Sequence, residues 1–70
     1  MEFKVLYTSG DDVYIVQKDK SFYLVNLELE TPPIKKEVLE SLIKFGYFTA
    51  VFELDQETLA RIETRLNSNP

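Results

Sequence analysis

The sequence predicts a small α+β domain with the element order β-β-β-α-β-α. Apolar and polar residues alternate in three segments, and a fourth, at 13–18, is dense in β-branched and aromatic residues; both features are typical of strands. Apolar residues recur every three or four positions between Ile34 and Ile43, and again near the C-terminus, which is typical of helices. We expect a single domain over residues 1–66 and a flexible tail at 67–70.

The N-terminal part of the chain is predicted to form an antiparallel meander of three strands. These strands are expected at residues 2–8, 13–18 and 21–30. Gly10 can adopt the positive φ that a turn at 9–12 needs, and Asp19 and Lys20 form a short polar break. Short turns of this kind join antiparallel neighbours.

Residues 31–46 are predicted to form a central helix. Its apolar stripe consists of Ile34, Val38, Leu39, Leu42 and Ile43. Pro33 suits the first helical position, where its missing N–H costs nothing, and Gly46 suits the left-handed residue that ends a helix. The helix would then act as a crossover between the third and fourth strands.

The last two elements are predicted to be a strand at 47–54 and a helix at 56–66 that begins at the N-cap Asp55. A crossover returns the fourth strand parallel to the third, beside either the first or the third strand. The expected result is a mixed four-stranded sheet with the helices mainly on one face. The face toward the helices would carry Tyr23, Val25, Leu27, Leu29, Phe48, Ala50, Phe52 and Leu54.

The composition argues against several classes of function. The 70 residues include no cysteine and no histidine, so the commonest general base, a thiol nucleophile and the usual zinc ligands are missing. Twelve acidic and eight basic residues give a net charge of −4, which does not attract a phosphate backbone. We find no signal-peptide pattern and no apolar run of membrane-spanning length. A cytoplasmic, non-catalytic protein with no cofactor and no nucleic-acid or membrane partner is expected.

A second apolar face of the sheet predicts protein binding. Opposite the helices, more large apolar side chains remain than a solvated antiparallel face normally carries. The interface candidates are Leu6, Tyr14, Val16, Phe22, Leu24, Tyr47 and Val51. If the second strand turns its other side to this face, Val13 and Ile15 take the place of Tyr14 and Val16 among the candidates. Alternatively, the C-terminal helix wraps over this face, or the residues are ordinary scattered exposure.

Charged residues give weaker functional signals. If the third and fourth strands are parallel, four acidic residues lie toward one end of the sheet: Glu28, Glu30, Glu53 and Asp55. Such a cluster could bind Mg²⁺, Ca²⁺ or a basic partner, although a solvated strand edge is the simpler explanation. Arg61 and Arg65 lie one helical turn apart and could bind a carboxylate, with Glu57 as the expected partner of Arg61.

The leading hypothesis is a small acidic protein–protein interaction module, acting as an adaptor, subunit or inhibitor and forming a homodimer through its apolar sheet face. A second hypothesis is an acidic inhibitor that presents carboxylates to a basic nucleic-acid-binding protein; its binding should depend strongly on salt. A third is a small regulatory domain that binds a ligand or a divalent metal ion.

Overall fold

In the computed structural model, the described residues, 2–29 and 31–67, form a five-stranded antiparallel sheet and two helices. This confirms the α+β class. The elements in chain order are β1 (Lys4–Thr8), β2 (Val13–Lys18), β3 (Ser21–Asn26), β4 (Ile34–Lys36), α1 (Glu40–Ile43), β5 (Thr49–Ala50) and α2 (Gln56–Asn67). The strands lie in the order β4-β3-β2-β1-β5.

The meander of β1, β2 and β3 is confirmed, with antiparallel pairing on both sides of β2. Its two turns place Gly10, Asp12 and Asp19 at positive φ. Glycine adopts this region freely, and aspartate tolerates it because its short side chain can bond locally. The Thr8 hydroxyl completes the first turn by donating to the Val13 carbonyl at 2.9 Å and accepting the Gly10 N–H at 3.1 Å.

The predicted central helix is wrong for most of its length. Residues Ile34–Lys36 form β4, which pairs antiparallel with β3, and helix is confined to Glu40–Ile43. Two consecutive prolines favour an extended chain, and Pro33 is buried, so the chain continues beside β3 instead of starting a helix. Pairing with an existing strand outweighs the helical spacing of the apolar residues.

The last strand is shorter than predicted and runs in the opposite direction. β5 contains two residues and pairs antiparallel with β1, which is one of the two expected neighbours. Because β4 adds one reversal before the crossover, β5 runs parallel to β4 and antiparallel to β3. The described strands therefore form a wholly antiparallel sheet and not a mixed one.

Helix α2 covers one face of the sheet, as its apolar stripe predicts. Val16, Val25 and Leu27 pack there with Ile62 and Leu66 of α2 in the main buried cluster. The helix includes Asn67, the first residue of the predicted tail, and residues 68–70 lie outside the described part. Among the described residues, no helix is both long and apolar enough to cross a membrane.

The crossover between β4 and β5, residues 37–48, covers the other face. Ile15 alternates with Val16 along β2 and is fully buried, yet it lies outside the cluster beneath α2. Leu42 of α1 is also fully buried outside that cluster, and α1 contacts β3. We infer that Leu42 packs over the Ile15 face, so each face of the sheet carries one helix, whereas the sequence predicted both mainly on one face.

Candidate functional site

The seven predicted interface residues do not form one surface. Val16 is fully buried and Tyr14 packs against the same cluster beneath α2, so the opposite register, with Val13 and Ile15 away from α2, is the one observed. Leu6, Phe22, Leu24 and Val51 are half-buried. Of the candidates, Tyr47 alone is strongly exposed, at 97%. Since Leu42 is inferred to pack over the Ile15 face, we infer that the crossover of the same chain covers the apolar face expected to bind a partner.

Exposed apolar side chains are instead concentrated in the crossover and around β5. Most large apolar residues that are exposed in the described part of the chain belong to this stretch: Val38, Ile43, Phe45, Tyr47 and Phe52. Phe52 is 96% exposed, although the sequence placed it toward the helices. The two exposed aromatic side chains, Tyr47 and Phe52, together offer about 300–500 Å² for binding.

β5 is an edge strand, and no described strand lies on its outer side. The Val51 N–H donates to the Leu6 carbonyl at 2.9 Å and so points toward β1. Since these directions alternate along an antiparallel strand, the N–H and C=O of Ala50 point away from the sheet. Residues 47–52 contain no charge, proline or glycine. That composition is typical of segments that pair edge to edge, and it is the sequence signal that could have identified Phe52.

The opposite edge of the sheet is protected against such pairing. β4 has three residues, two of which are Lys35 and Lys36, and Pro32 and Pro33 precede it directly. Short strands, lysines and prolines are the usual means by which proteins prevent edge association. The two edges therefore differ, and β5 is the one suited to a partner strand.

The predicted acidic cluster is not assembled. Two strands, β2 and β1, separate β3 from β5, so the parallel pairing that would gather the carboxylates does not occur. Glu28, Glu53 and Asp55 are exposed, and Glu30 lies outside the described residues. Within the described ranges, no three acidic residues are grouped as metal ligands would be.

Asp55 is the N-cap of α2, as predicted. Its carboxylate accepts the Thr58 hydroxyl at 2.7 Å and the Thr58 N–H at 3.1 Å. The side-chain hydrogen bond and then the backbone one lower the pKa of Asp55 from its ordinary value of 3.8. The charge of Asp55 therefore stabilises the folded state.

The Asp55→Asn variant should separate capping from charge. Asparagine caps a helix about as well as aspartate but does not titrate. The contribution of the Asp55 charge is present above the unfolded pKa and is lost as the pH falls through the lowered folded pKa. We expect the Tm of the variant, relative to the Tm of the native chain, to be higher at pH values below 3.8 than at neutral pH. An identical Tm difference at both pH values would contradict this role.

Arg65 and Arg61 both donate hydrogen bonds to backbone carbonyls. The Arg65 guanidinium donates to four carbonyl oxygens in the segment from the last residue of β3 onward: Asn26 (2.9 Å), Leu27 (3.4 Å), Thr31 (3.2 Å) and Leu29. Arg61 also donates to the Leu27 carbonyl, at 3.4 Å. The arginine fork matches several acceptors at once, so α2 fixes the path of this segment.

Tyr14 packs against the buried cluster beneath α2. Burial raises the pKa of the Tyr14 phenol, and the carboxylates of Asp12 and Asp55 raise it further, while Arg61 opposes them. Tyr14 therefore stays a neutral phenol at neutral pH. An activated base or nucleophile would need the opposite shift.

Comparison with known proteins adds no relative. No family model matches the chain, and no curated protein or solved structure matches it.

Proposed function

We propose that the chain is a non-catalytic interaction protein that self-associates through the edge of its sheet at residues 47–52. The observation that carries this proposal is the nearly complete exposure of Tyr47 and Phe52 on either side of β5. Tyrosine and phenylalanine are enriched at protein interfaces, because they bury much area at little entropic cost.

The available area suits a dimer of modest affinity. Burying Tyr47 and Phe52 from each of two copies removes about 600–1,000 Å² from water. Specific interfaces bury about 1,200–2,000 Å² in total, so the remaining area must come from neighbours such as the half-exposed Phe45. The dimer should therefore dissociate on dilution.

The charge distribution allows a second copy to bind at residues 47–52. Two chains that each carry a net charge of −4 repel one another over most approaches. Residues 47–52 carry no charge, so two copies can meet there without placing like charges in contact. Association through this segment should depend weakly on salt, whereas an acidic inhibitor of a basic protein would lose affinity as salt is added.

Chemical composition supports the non-catalytic part of the proposal. Neither histidine nor cysteine is available to act as base or nucleophile. The Tyr14 phenol has its pKa raised and so offers no reactive phenolate at neutral pH. Its hydroxyl can only donate or accept hydrogen bonds there.

Phe52→Glu should abolish self-association without unfolding the chain. The side chain is 96% exposed, so it contributes little to the fold, but burying a carboxylate at the contact is unfavourable. Removing an aromatic residue from the centre of an interface costs at least about 2 kcal/mol, so we expect the dimer dissociation constant to rise about 30-fold or more. Sedimentation equilibrium over a concentration series measures this.

Val38→Glu is the matched control. Val38 is exposed and comes two residues after β4, the strand at the opposite edge of the sheet from β5, so its replacement should leave the dimer intact. A native chain that stays monomeric up to millimolar concentration would refute self-association. Equal loss of the dimer in both variants would show that residues 47–52 are not the specific contact.

A further inference from the structure

We propose, on the basis of the self-association above, that β5 of one copy pairs antiparallel with β5 of a second copy around a two-fold axis at Ala50. The two five-stranded sheets then become one continuous sheet. At the axis, the N–H of each Ala50 donates to the Ala50 carbonyl of the other copy. The β5 edge of each copy is thus covered by the β5 edge of the other copy.

The position of the axis follows from the hydrogen bonds within one chain. Thr49 pairs with Thr8, and the Val51 N–H binds the Leu6 carbonyl, so the groups of residues 49 and 51 are directed to β1. Ala50 is the residue of β5 whose N–H and C=O remain free to pair outward. Its small side chain also leaves space for the two backbones to approach.

The same register brings aromatic side chains together. With Ala50 opposite Ala50, Phe48 of one copy lies opposite Phe52 of the other. Aromatic cross-strand pairs stabilise a sheet by about 0.2–1 kcal/mol each, and the two-fold axis creates two of them. The exposed Phe52 side chain thereby contacts another phenylalanine, Phe48 of the second copy.

The positions of the charged residues are also compatible with this register. The first charged residue after β5 is Glu53, which would lie opposite the uncharged Tyr47 of the other copy. No two carboxylates face each other across the axis, so the self-repulsion of the acidic chain is kept away from the contact. A two-fold contact of this kind is closed, because each copy uses the same surface.

Association should stop at the dimer. The remaining free edges are the two β4 strands, where Lys35 and Lys36 of neighbouring copies would repel each other. Pro32 and Pro33 also shorten the paired part of that edge. A stack of more copies is therefore disfavoured.

Single cysteine variants test the pairing, because the chain has no cysteine of its own. In Ala50→Cys, the two Cα atoms across the axis would lie about 5.5 Å apart, within the range that a disulfide spans. Diamide, which accepts two electrons and two protons from a pair of thiols, serves as the oxidant. We expect rapid formation of a covalent dimer. Lys35→Cys, at an exposed position of the other edge strand, is the matched control and should stay largely uncross-linked.

The outcomes separate this pairing from self-association itself. If sedimentation shows a dimer but Ala50→Cys does not cross-link, or Lys35→Cys cross-links equally well, the β5 pairing is overturned and self-association stands. If the unmodified chain is a monomer at all concentrations, both proposals fail. Circular dichroism checks that each variant is folded. If Ala50→Cys fails to fold, amide exchange at Ala50 of the unmodified chain provides the same decision.

Discussion

Leu42→Ala is expected to lower the free energy of unfolding by about 2–5 kcal/mol, because it leaves a cavity between the crossover and the sheet. Leu42 is fully buried, and we place it over the face that carries Ile15, which is also fully buried. A domain of this size has a small stability margin, so such a loss should populate the unfolded state without any denaturant. Urea unfolding followed by circular dichroism measures the change.

Ile43→Ala is the control for this effect. Ile43 is the next residue of the same short helix but is 36% exposed, so we expect a cost below about 1 kcal/mol. The helical stripe read from the sequence treats the two residues as equally buried. Equal destabilisation by both substitutions would therefore contradict the observed orientation of the crossover.

Arg65→Met is expected to destabilise the fold by about 2–3 kcal/mol. Methionine keeps the apolar stem of the side chain but removes the guanidinium, which leaves the carbonyls of Asn26, Leu27, Leu29 and Thr31 without this donor. Hydrogen bonds from a charged donor are worth more than neutral ones, and several are lost together. Amide exchange in the segment after β3 should accelerate along with the drop in stability.

Arg61→Met provides the comparison on the same helix. Arg61 is exposed and donates to the Leu27 carbonyl at 3.4 Å, so its loss should cost less than about 1 kcal/mol. Arg65→Lys should fall between the two methionine variants, because one ammonium group cannot reach all four carbonyls. If both methionine variants had the same effect, Arg65 would have no special role in holding this segment.

Local signals were enough to predict the meander and the C-terminal helix. β2 and β3 are dense in β-branched and aromatic residues, and Asp55 before a stripe containing Ile62 and Leu66 is typical of a helix start. These elements depend on neighbours that are close in the sequence. Their boundaries were accordingly near the observed ones, except that β3 ends at Asn26, where its side-chain oxygen accepts the N–H groups of Glu28 and Leu29.

The crossover could not be predicted from spacing alone. Ile34, Val38 and Leu42 recur as on a helix, but Ile34 belongs to a strand and Val38 is exposed. A three-residue strand such as β4 is too short to show alternation, and its stability comes from β3, which no local pattern reports. Missing β4 also reversed the expected direction of β5.

The candidate site was only partly predictable for a related reason. Residues 13–16 are four apolar residues in succession, so the sequence could not decide which pair faces α2. Tyr47 is a predicted interface residue and is exposed, whereas a strand over the whole of 47–54 predicts that Phe52 lies on the face toward the helices. Tyr47 and Phe52 are exposed at this edge because the strand paired with β1 is short and contains only Thr49 and Ala50.

The measurement that tests the central claim most directly is amide hydrogen exchange at Ala50 and Val51 over a concentration series, followed by NMR. Val51 donates its N–H to Leu6 within one chain, so its exchange should be slow at every concentration. The Ala50 N–H points outward, and we expect its exchange to slow as the concentration rises and the two β5 edges pair. Exchange at Ala50 that stays fast and independent of concentration, beside a protected Val51, would contradict the proposal.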